Sequence, residues 1–307
     1  MISFIVMPGS MLVRCGVFFN MHIAVIMTCH NRKKHTIECL KSLYDQVHDA
    51  ALSLDTYLVD DGSTDGTSEA VQRLFPDVRV NLGDGSLYWN GGMRSAFALA
   101  MKEGYDHYLW LNDDTVLYHS ALQVMIQTYE QLLSQGYPRS IVVGSTSDLE
   151  TGSLTYGGII KTSCWHPFKY RIVNPVDRPQ PCDTMNGNCV LIPQNVVTIV
   201  DNLDSAFTHT TGDFDYGLRE VKKGCSIFVA PGFVGTCSIN SISGTWKDQN
   251  LSFRERLKKR HQTKGVPFKE WKVFVKRHGG VFWPVFVVLP YIKMAAESIV
   301  SKWGKKR

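Results

Sequence analysis

The chain has 307 residues, of which 44% are hydrophobic, 20% charged and 11% aromatic. This composition is that of a folded globular protein, and it excludes disordered, collagen-like and low-complexity chains. The formal net charge of +5 is unevenly distributed, because residues 1–250 hold 18 Lys and Arg against 25 Asp and Glu, whereas residues 251–307 hold 15 against 3. A basic tail on an acidic body indicates an anionic partner for the tail, either a membrane surface or a nucleic acid.

The first twenty residues are apolar, but no positive charge precedes them, which is atypical of a signal peptide. Met21 is followed directly by an apolar run that is typical of a buried strand. We therefore expect the fold to start at Met21, with residues 1–20 as an upstream extension and a non-cleaved membrane anchor as the alternative. The eight cysteines form no Cys-x-x-Cys pair, which disfavours a zinc ribbon and a thioredoxin motif and favours reduced thiols in a cytosol.

Apolar strands and amphipathic helices alternate from residue 23 onward, which predicts a mostly parallel sheet flanked by helices. In the first half of the chain, the pattern predicts strands over 23–27, 54–59, 78–81 and 108–111, and helices over 36–44, 67–75, 95–103 and 120–135. In the second half, it predicts strands over 141–144, 190–192 and 227–229, helices over 193–200 and 214–223, and loops with short strands over 147–183.

The tail from residue 251 is predicted to add helices, including one over 268–277. Its longest apolar run, 281–292, contains two prolines and is shorter than the ~20 residues of a membrane-spanning helix. The run therefore suits a membrane interface, with a core helix hairpin as the alternative.

Polar clusters follow three of the predicted strands, at residues 28–32, 60–67 and 112–115. Ligands of open α/β sheets bind beyond the carboxyl ends of the strands, so these clusters predict one pocket. Asp60 and Asp61 can accept hydrogen bonds from a base and a ribose, although turn chemistry explains the glycines around them equally well. Asp113 and Asp114 repel each other unless a cation lies between them, which suits Mg²⁺ or Mn²⁺, with helix capping as the alternative.

Two further segments carry candidate chemistry. The glycine-rich segment 83–94 allows backbone amides to approach an anion, and Arg94, expected in the first turn of the next helix, offers a forked donor. Asp213 and Asp215 open another predicted helix, where they offset its dipole or serve as a general base. Arg219 is spaced to pair with Asp215 and so leave Asp213 free.

Together these segments resemble the inverting family-2 glycosyltransferases of GT-A type fold. The matching residues are 27–32 (MTCHNR), 59–67 (VDDGSTDGT), 110–115 (WLNDDT) and 212–219 (GDFDYGLR), and segment 83–94 is similar to that of rhamnosyltransferase-like enzymes of bacterial surface polysaccharides. The resemblance implies a GT-A domain over 21–250, with a Rossmann-like nucleotide half to about residue 115, an acceptor half after it, and a basic amphipathic helical extension over 251–307.

The resemblance also implies roles for individual residues. Asp213 becomes the catalytic base, Asp114 the ligand of a divalent metal, Mg²⁺ or Mn²⁺, and Asn186, Gly187 and Asn188 the acceptor-side turn. The implied contacts to the nucleotide sugar are Thr28, His30, Arg32, Asp60, Asp61, Asn90, Arg94 and Asp113.

Three departures from the family pattern are visible. Asn112 replaces the first acid of the metal motif, Gly212 stands where Glu is usual, and segment 235–237 lacks a histidine that some relatives use as a metal ligand. Cys237, Thr236 or water would replace that histidine. His209 is a possible substitute that we expect instead on a surface loop.

The implied reaction is sugar transfer, with inversion, from a UDP- or dTDP-sugar to a hydroxyl of a glycan or lipid-linked acceptor. The tail predicts a peripheral protein at the cytoplasmic face of the inner membrane, and no nucleic-acid motif is visible. The alternatives are a membrane-surface or nucleic-acid-binding module with an inert α/β body, and a nucleotidyltransferase, which would not need a base at Asp213.

Overall fold

The computed structural model describes residues 21–46 and 52–304, so the expected extension over residues 1–20 lies outside the described residues. The first half of the described chain alternates strands and helices. Its elements are β1 (Met21–Cys29), α1 (Lys33–Tyr44), β2 (Leu52–Asp60), α2 (Thr67–Leu74), β3 (Arg79–Leu82), α3 (Tyr88–Ala100), β4 (His107–Leu111), β5 (Val116–Leu117), α4 (Ala121–Ser134) and β6 (Ser140–Ser147).

The second half begins with short strands and ends in helices. Its elements are β7 (Leu154–Tyr156), β8 (Gly158–Lys161), β9 (Tyr170–Ile172), β10 (Gln180–Cys182), β11 (Thr184–Met185), β12 (Cys189–Pro193), α5 (Gln194–Val200), α6 (Gly212–Lys222), β13 (Ser226–Thr236), α7 (Phe253–Arg260), α8 (Phe268–His278), a 3₁₀ turn (Gly280–Phe282) and α9 (Trp283–Gly304).

A mixed, mostly parallel sheet forms the centre of the described chain, in the order β10-β13-β6-β12-β4-β1-β2-β3. The pairs β1–β2, β1–β4, β2–β3 and β6–β13 are parallel, whereas β12 is antiparallel to both of its neighbours, β4 and β6. A smaller antiparallel sheet contains β11, β8 and β9. The expected α/β class with flanking helices is therefore confirmed.

Alternating side chains of the central strands fill two apolar cores, one on each face of the sheet. Ala24 and Ile26 of β1 belong to the core that includes α3, and Ile23 and Val25 belong to the core that includes α1 and α4. Because strands buried on both faces are apolar throughout, β1 and β4 could be located from the sequence.

The helix that follows the glycine-rich segment begins earlier than expected. It starts at Tyr88 rather than at residue 95, so Arg94 lies in its second turn and not in its first. The start is displaced because the carboxylate of Asp61 accepts hydrogen bonds from the backbone N–H groups of Leu87 and Tyr88, at 3.2 and 2.8 Å. A distant residue therefore satisfies helix-end donors that a local cap would otherwise satisfy.

The basic extension packs on the body through α8. Phe274 joins Phe207 and Leu218 in a small apolar cluster, and the Arg277 guanidinium contacts the carboxylates of Asp204 and Asp215, each at 2.7 Å. These contacts fix α8 against α6.

Helix α9 continues through Pro290, where the sequence suggested a broken apolar run. Pro284 falls in the first turn, where no intrahelical N–H is needed, and Pro290 removes one backbone hydrogen bond without ending the helix. Within the described chain, one helical stretch, Gly280–Ser298, is long and apolar enough to cross a membrane by length and composition, and 17% of it is buried.

Candidate functional site

The carboxyl ends of β1, β2 and β4 meet at one edge of the sheet. Cys29 is paired in register with Asp60, and Ile26 with Trp110, so the segments that follow these strands leave the sheet side by side. The three polar clusters predicted from the sequence therefore share this edge, as expected for an open α/β sheet.

Asp60 and Asp61 are both buried, and each carboxylate orders a loop. Asp60 accepts hydrogen bonds from the backbone N–H of Ser63, at 2.9 Å, and from the Ser68 hydroxyl. Asp61 accepts from the N–H groups of Gly85, Leu87 and Tyr88 at the start of α3. The Asp61 carboxylate therefore lies at the positive end of a helix, which stabilises its charge.

Arg32 lies against the acidic pair that follows β4. Its Nη1 is 3.0 Å from Oδ1 of Asp113 and 2.7 Å from Oδ2 of Asp114. Burial raises the pKa of Asp113 to about 7, although the nearby Arg32 charge lowers it. The Arg32 guanidinium thus offsets part of the repulsion between the two carboxylates, and a divalent metal at this pair stays a prediction.

The Cys237 thiol contacts the other carboxylate oxygen of Asp114. Its Sγ lies 3.4 Å from Oδ1 of Asp114, and the Asn188 side-chain amide donates to it at 3.4 Å. Burial, and then the neighbouring Asp114, raise the pKa of Cys237 to about 12, so the thiol is neutral at physiological pH. Cys237 stands at the segment where the sequence lacks the expected histidine.

The donor set around Asp114 is compatible with a divalent metal that a substrate would complete. Among the described residues, no cluster of three or more His, Cys, Asp or Glu side chains could hold a metal by itself. However, Mg²⁺ commonly uses one or two carboxylates together with substrate phosphates. Within the part of the chain that the structure describes, Oδ2 of Asp113 is buried and has no hydrogen-bond partner, so it is an unused acceptor beside Asp114.

Asp213 lies at the start of α6, where two backbone N–H groups hold its carboxylate. Gly187 donates to Oδ2 at 3.1 Å, and Phe214 donates to Oδ1 at 2.8 Å. Burial raises the pKa of Asp213 to about 6, because it outweighs these two hydrogen bonds. Asp215 instead pairs with Arg219 at 2.8 Å, as its spacing predicts. Among the residues that the structure describes, none forms an ion pair with Asp213, and its pKa of about 6 suits a general base.

Trp89 connects the metal motif to the Asp213 segment. Its indole N–H donates to Oδ1 of Asn112 at 2.8 Å, and its ring approaches Gly187 so closely that a Cβ there would lie 2.5 Å from it. Gly187 in turn donates to Asp213. The acidic pair, Trp89 and Asp213 thus form one continuous set of contacts, which sequence reasoning missed because Trp89 lies in what was predicted to be a loop.

Several predicted nucleotide contacts also have structural partners. Thr28 donates to the carbonyl of Val59 at 3.0 Å, and the His30 Nδ1–H donates to the carbonyl of Asp61 at 2.6 Å. Asn90 is fully buried and donates to the carbonyls of Asp204 and Phe207, at 3.0 and 2.7 Å. These contacts join the strand ends and the loop before Asp213, and binding of a nucleotide by these residues stays a prediction.

Arg94 and His209 are less exposed than free surface residues. The Nε of Arg94 is buried and has no hydrogen-bond partner among residues 21–46 and 52–304. His209, expected on a surface loop, is partly buried, and its ring lies 6.0 Å, centroid to centroid, from that of Tyr88. Burial lowers the pKa of His209, with Lys264 adding to the effect. His209 thus lies in a loop, as expected, but it is only partly exposed, because Asn90 of α3 donates to the carbonyls of Phe207 and Thr208 in this loop.

The predicted acceptor-side residues form the turn between β11 and β12. Asn186 pairs with the backbone of Gly157, the carbonyl of Asn188 accepts from the N–H of Asn112 at 2.9 Å, and Gly187 lies between Trp89 and Asp213. The turn thus borders both the metal motif and Asp213.

Known proteins resemble this chain in sequence and in fold. The sequence profile described as Glycosyl transferase family 2 matches residues 24–192. An uncharacterized glycosyltransferase of Rickettsia bellii (strain RML369-C) is 26% identical over 110 residues, which are 36% of this chain and 15% of that protein. The chain therefore matches about a seventh of the length of this curated relative.

Solved structures of S. aureus TarS, residues 1–349, share the fold. One superposes with a TM-score of 0.51 at 13% identity, covering 83% of this chain and 70% of that one. Another, in complex with UDP, gives a TM-score of 0.50 at 12% identity with the same coverage. At these identities the similarity shows the fold, which is the GT-A type.

Proposed function

The chain belongs to glycosyl transferase family 2, and from this membership we propose that it transfers a sugar from a nucleoside diphosphate donor, of the UDP or dTDP type, to an acceptor hydroxyl. The observation that carries the proposal is Asp213, a carboxylate without an ion pair in the described part of the chain. It is joined through Gly187 and Trp89 to Asn112, which precedes the acidic pair after β4. The UDP complex of TarS supports a donor of this kind.

Asp213 is the catalytic base of this proposal. Its carboxylate removes the proton of the acceptor hydroxyl, whose oxygen attacks the anomeric carbon while the bond to the diphosphate breaks. Attack from the side opposite the leaving group inverts the anomeric configuration. The backbone N–H groups of Gly187 and Phe214 fix the carboxylate in position, and its pKa of about 6 leaves it largely deprotonated at neutral pH.

The donor is proposed to bind at the carboxyl ends of β1, β2 and β4. The proposed contacts are Thr28, His30, Arg32, Asp60, Asp61, Asn90, Arg94 and Asp113. Arg32 supports this assignment best, because its side chain is about one-third exposed, its guanidinium contacts both Asp113 and Asp114, and it offers a fork of donors to a diphosphate.

Asp114 is the proposed ligand of Mg²⁺ or Mn²⁺. When bound, the ion would neutralise the charge that develops on the departing diphosphate. The unpartnered oxygen of Asp113 supports this proposal, since it leaves a second acceptor beside Asp114.

The acceptor is proposed to be a glycan or a lipid-linked glycan, approaching the turn formed by Asn186, Gly187 and Asn188. We further propose that the sugar is a hexose or deoxyhexose, as in the rhamnosyltransferase-like subgroup. The basic extension is proposed to hold the protein at the cytoplasmic face of a membrane, as a peripheral protein of cell-envelope polysaccharide synthesis. The apolar stretch Gly280–Ser298 supports membrane association by its length and composition.

A ligand screen tests the donor. UDP- and dTDP-sugars, each with Mn²⁺, are added at about one hundred times their dissociation constant, which stabilises a folded protein by ~2.7 kcal/mol. The cognate donor is expected to raise the melting temperature by roughly 5 °C, since a chain of this size gains about 2 °C per kcal/mol. Release of free nucleoside diphosphate on addition of acceptor then measures transfer. A failure of every nucleotide sugar to shift the melting temperature would contradict the donor proposal.

Replacing Asp114 by Ala tests the metal. The variant is expected to lose both the divalent-ion dependence of transfer and the binding of Mn²⁺ measured by electron paramagnetic resonance, because one of two carboxylate ligands is gone. Asp77→Ala, which removes an exposed carboxylate before β3, is the matched control and should bind Mn²⁺ like the wild type. Full wild-type activity in EDTA would count against the metal.

A further inference from the structure

The basic extension contains a cavity that the reaction at Asp213 does not use. Its volume is about 410 Å³, and it lies among α7, α8, α9 and the loops that contain residues 166–168 and 246–249. Aromatic walls come from Trp246, Trp271 and Phe286, and the basic residues Lys247 and Lys293 also line the cavity. An apolar chamber with basic residues in its lining suits a ligand that has both an apolar part and an anionic part.

A buried cation without an acidic partner lies behind two of these walls. Arg260 is 2% exposed, and its guanidinium carbon lies 4.6, 5.5 and 5.1 Å from the ring centroids of Trp246, Trp271 and Tyr291. Its Nε has no hydrogen-bond partner, and no ion pair of Arg260 occurs within residues 21–46 and 52–298. A buried charge without a counter-ion is unfavourable, and an anion in the neighbouring cavity would offset it.

Glu297 also lines the cavity, but its negative charge does not offset the positive charges of Lys247, Lys293 and Arg260. The Glu297 carboxylate is 2.8 Å from the Arg256 guanidinium, so these two opposite charges balance each other. Lys247, Lys293 and Arg260 remain as the excess positive charge in and beside the cavity, with His166 as a further polar group in its lining. The excess charge therefore selects an anionic ligand rather than a neutral one.

An exposed apolar surface adjoins the cavity on the same helix. The side chains of Val285, Val288 and Ile292 are 51–61% exposed and recur at helical spacing on α9, whereas Phe286, Leu289 and Lys293 line the cavity. Trp165, which is 87% exposed, precedes His166, whose ring lies 5.1 Å from that of Phe286. Exposed aliphatic side chains beside an exposed Trp are typical of a surface that enters a membrane interface.

We propose that this cavity binds the phosphate-bearing headgroup of a lipid whose apolar chain remains in the membrane beside α9. The connection between α7 and α8, two helices that line the cavity, contacts the loop before Asp213: the hydroxyl of Thr210, three residues before Asp213, donates to the carbonyl of Gly265 at 2.8 Å. The claim that the bound lipid phosphate is the acceptor of the sugar rests on the proposed function. The claim that the cavity binds a lipid phosphate does not depend on it.

The test measures binding of dodecyl phosphate, below its critical micelle concentration, to the full chain by isothermal titration calorimetry without nucleotide sugar. The double variant Lys247→Glu/Lys293→Glu reverses two charges of the cavity lining. Lys269→Glu/Lys272→Glu reverses two exposed charges of α8 that do not line the cavity, so it is matched in net charge. We expect the first variant to bind about tenfold more weakly or worse and the second to bind within about twofold of the wild type, because electrostatic attraction falls with distance and screening.

Two further probes separate the sources of binding. Dodecyl maltoside has the chain without the phosphate, inorganic phosphate has the anion without the chain, and both are expected to bind far more weakly than dodecyl phosphate. Equal losses in the two double variants, or equal binding of dodecyl maltoside or of inorganic phosphate, would overturn the proposal. If the protein bound dodecyl phosphate but did not respond to any nucleotide sugar, the cavity proposal would stand and the proposed donor would be contradicted. If it responded to a nucleotide sugar but did not bind dodecyl phosphate, only the cavity proposal would be contradicted.

Discussion

Replacing Asp213 by Asn is expected to lower kcat for sugar transfer by ~10²–10⁴-fold, the range that general base catalysis contributes. The side-chain amide of Asn is too weak a base to remove a proton from the hydroxyl of the sugar acceptor. Its oxygen can still accept one of the two hydrogen bonds that Gly187 and Phe214 donate to Asp213. The substitution therefore removes the proton acceptor and leaves most of the local geometry in place. Initial rates of nucleoside diphosphate release at saturating donor measure the effect.

The pH profile separates loss of the base from loss of structure. With a pKa of about 6, the wild-type rate is expected to fall tenfold per unit of pH below that value, because the base must be deprotonated to act. The Asn variant should lack this acidic limb. Asp177→Asn, at an exposed carboxylate, is the matched control and should keep the wild-type profile.

Stability provides a second control for the same variant. Because burial raises the pKa of Asp213 above its unfolded value, the protonated carboxyl favours the folded state at low pH, and that contribution is lost as pH rises through about 6. Removing the charge should therefore not lower the melting temperature at pH 7. Near-normal turnover by Asp213→Asn would show that another group is the base.

Local sequence patterns were sufficient to predict the strands of the central sheet and the polar residues at its carboxyl edge. The apolar run at residues 23–27 and the run at 54–59 are observed as the slightly longer strands Met21–Cys29 and Leu52–Asp60. Acidic residues that directly follow such strands lie at the carboxyl edge of the sheet, because neighbouring parallel strands have their carboxyl ends at the same edge. This rule assigns Asp60, Asp61, Asp113 and Asp114 to one edge of the sheet from the sequence alone.

Interactions between distant segments could not be predicted in this way. The helix after the glycine-rich segment starts at Tyr88 because Asp61, twenty-seven residues earlier, accepts from its first N–H groups. Gly92 lies within this helix although glycine has a low helix propensity. Glycine is needed at this position because a Cβ would clash with the Thr28 hydroxyl. Likewise, the antiparallel insertion of β12 between β4 and β6 depends on pairing that no local pattern encodes.

The ion pairs of Asp215 are a further example, since the sequence indicated only its pairing with Arg219. In the fold, the fully buried carboxylate also accepts hydrogen bonds from Arg277, at 2.7 and 2.8 Å, and from Nε2–H of His278, at 2.8 Å. Burial alone would raise the pKa of Asp215, but the hydrogen bond from His278 and the charges of Arg219 and Arg277 hold it below its usual value. One carboxylate thus connects the extension to the helix that carries Asp213.

Asp215→Ala is expected to lower the free energy of unfolding by ~3–5 kcal/mol, measured by urea denaturation, because it leaves Arg219 and Arg277 without their buried counter-ion. Asp204→Ala is the matched control: Asp204 contacts the same Arg277, but its side chain is 27% exposed, so we expect a loss of ~1 kcal/mol or less.

The pH dependence of that loss has a definite sign. Since the folded-state pKa of Asp215 is lowered, its contribution is fully present above the unfolded value of about 4 and is lost as pH falls further. The difference in unfolding free energy between wild type and Asp215→Ala should therefore shrink below about pH 4. Between pH 7 and 5 the difference should grow as pH falls, because burial lowers the pKa of His278, Asp215 partly offsets that shift, and the variant loses the offset. If Asp215→Ala cost no more than Asp204→Ala at pH 7, the extension would be held to α6 by its apolar contacts through Phe274 rather than by this charge.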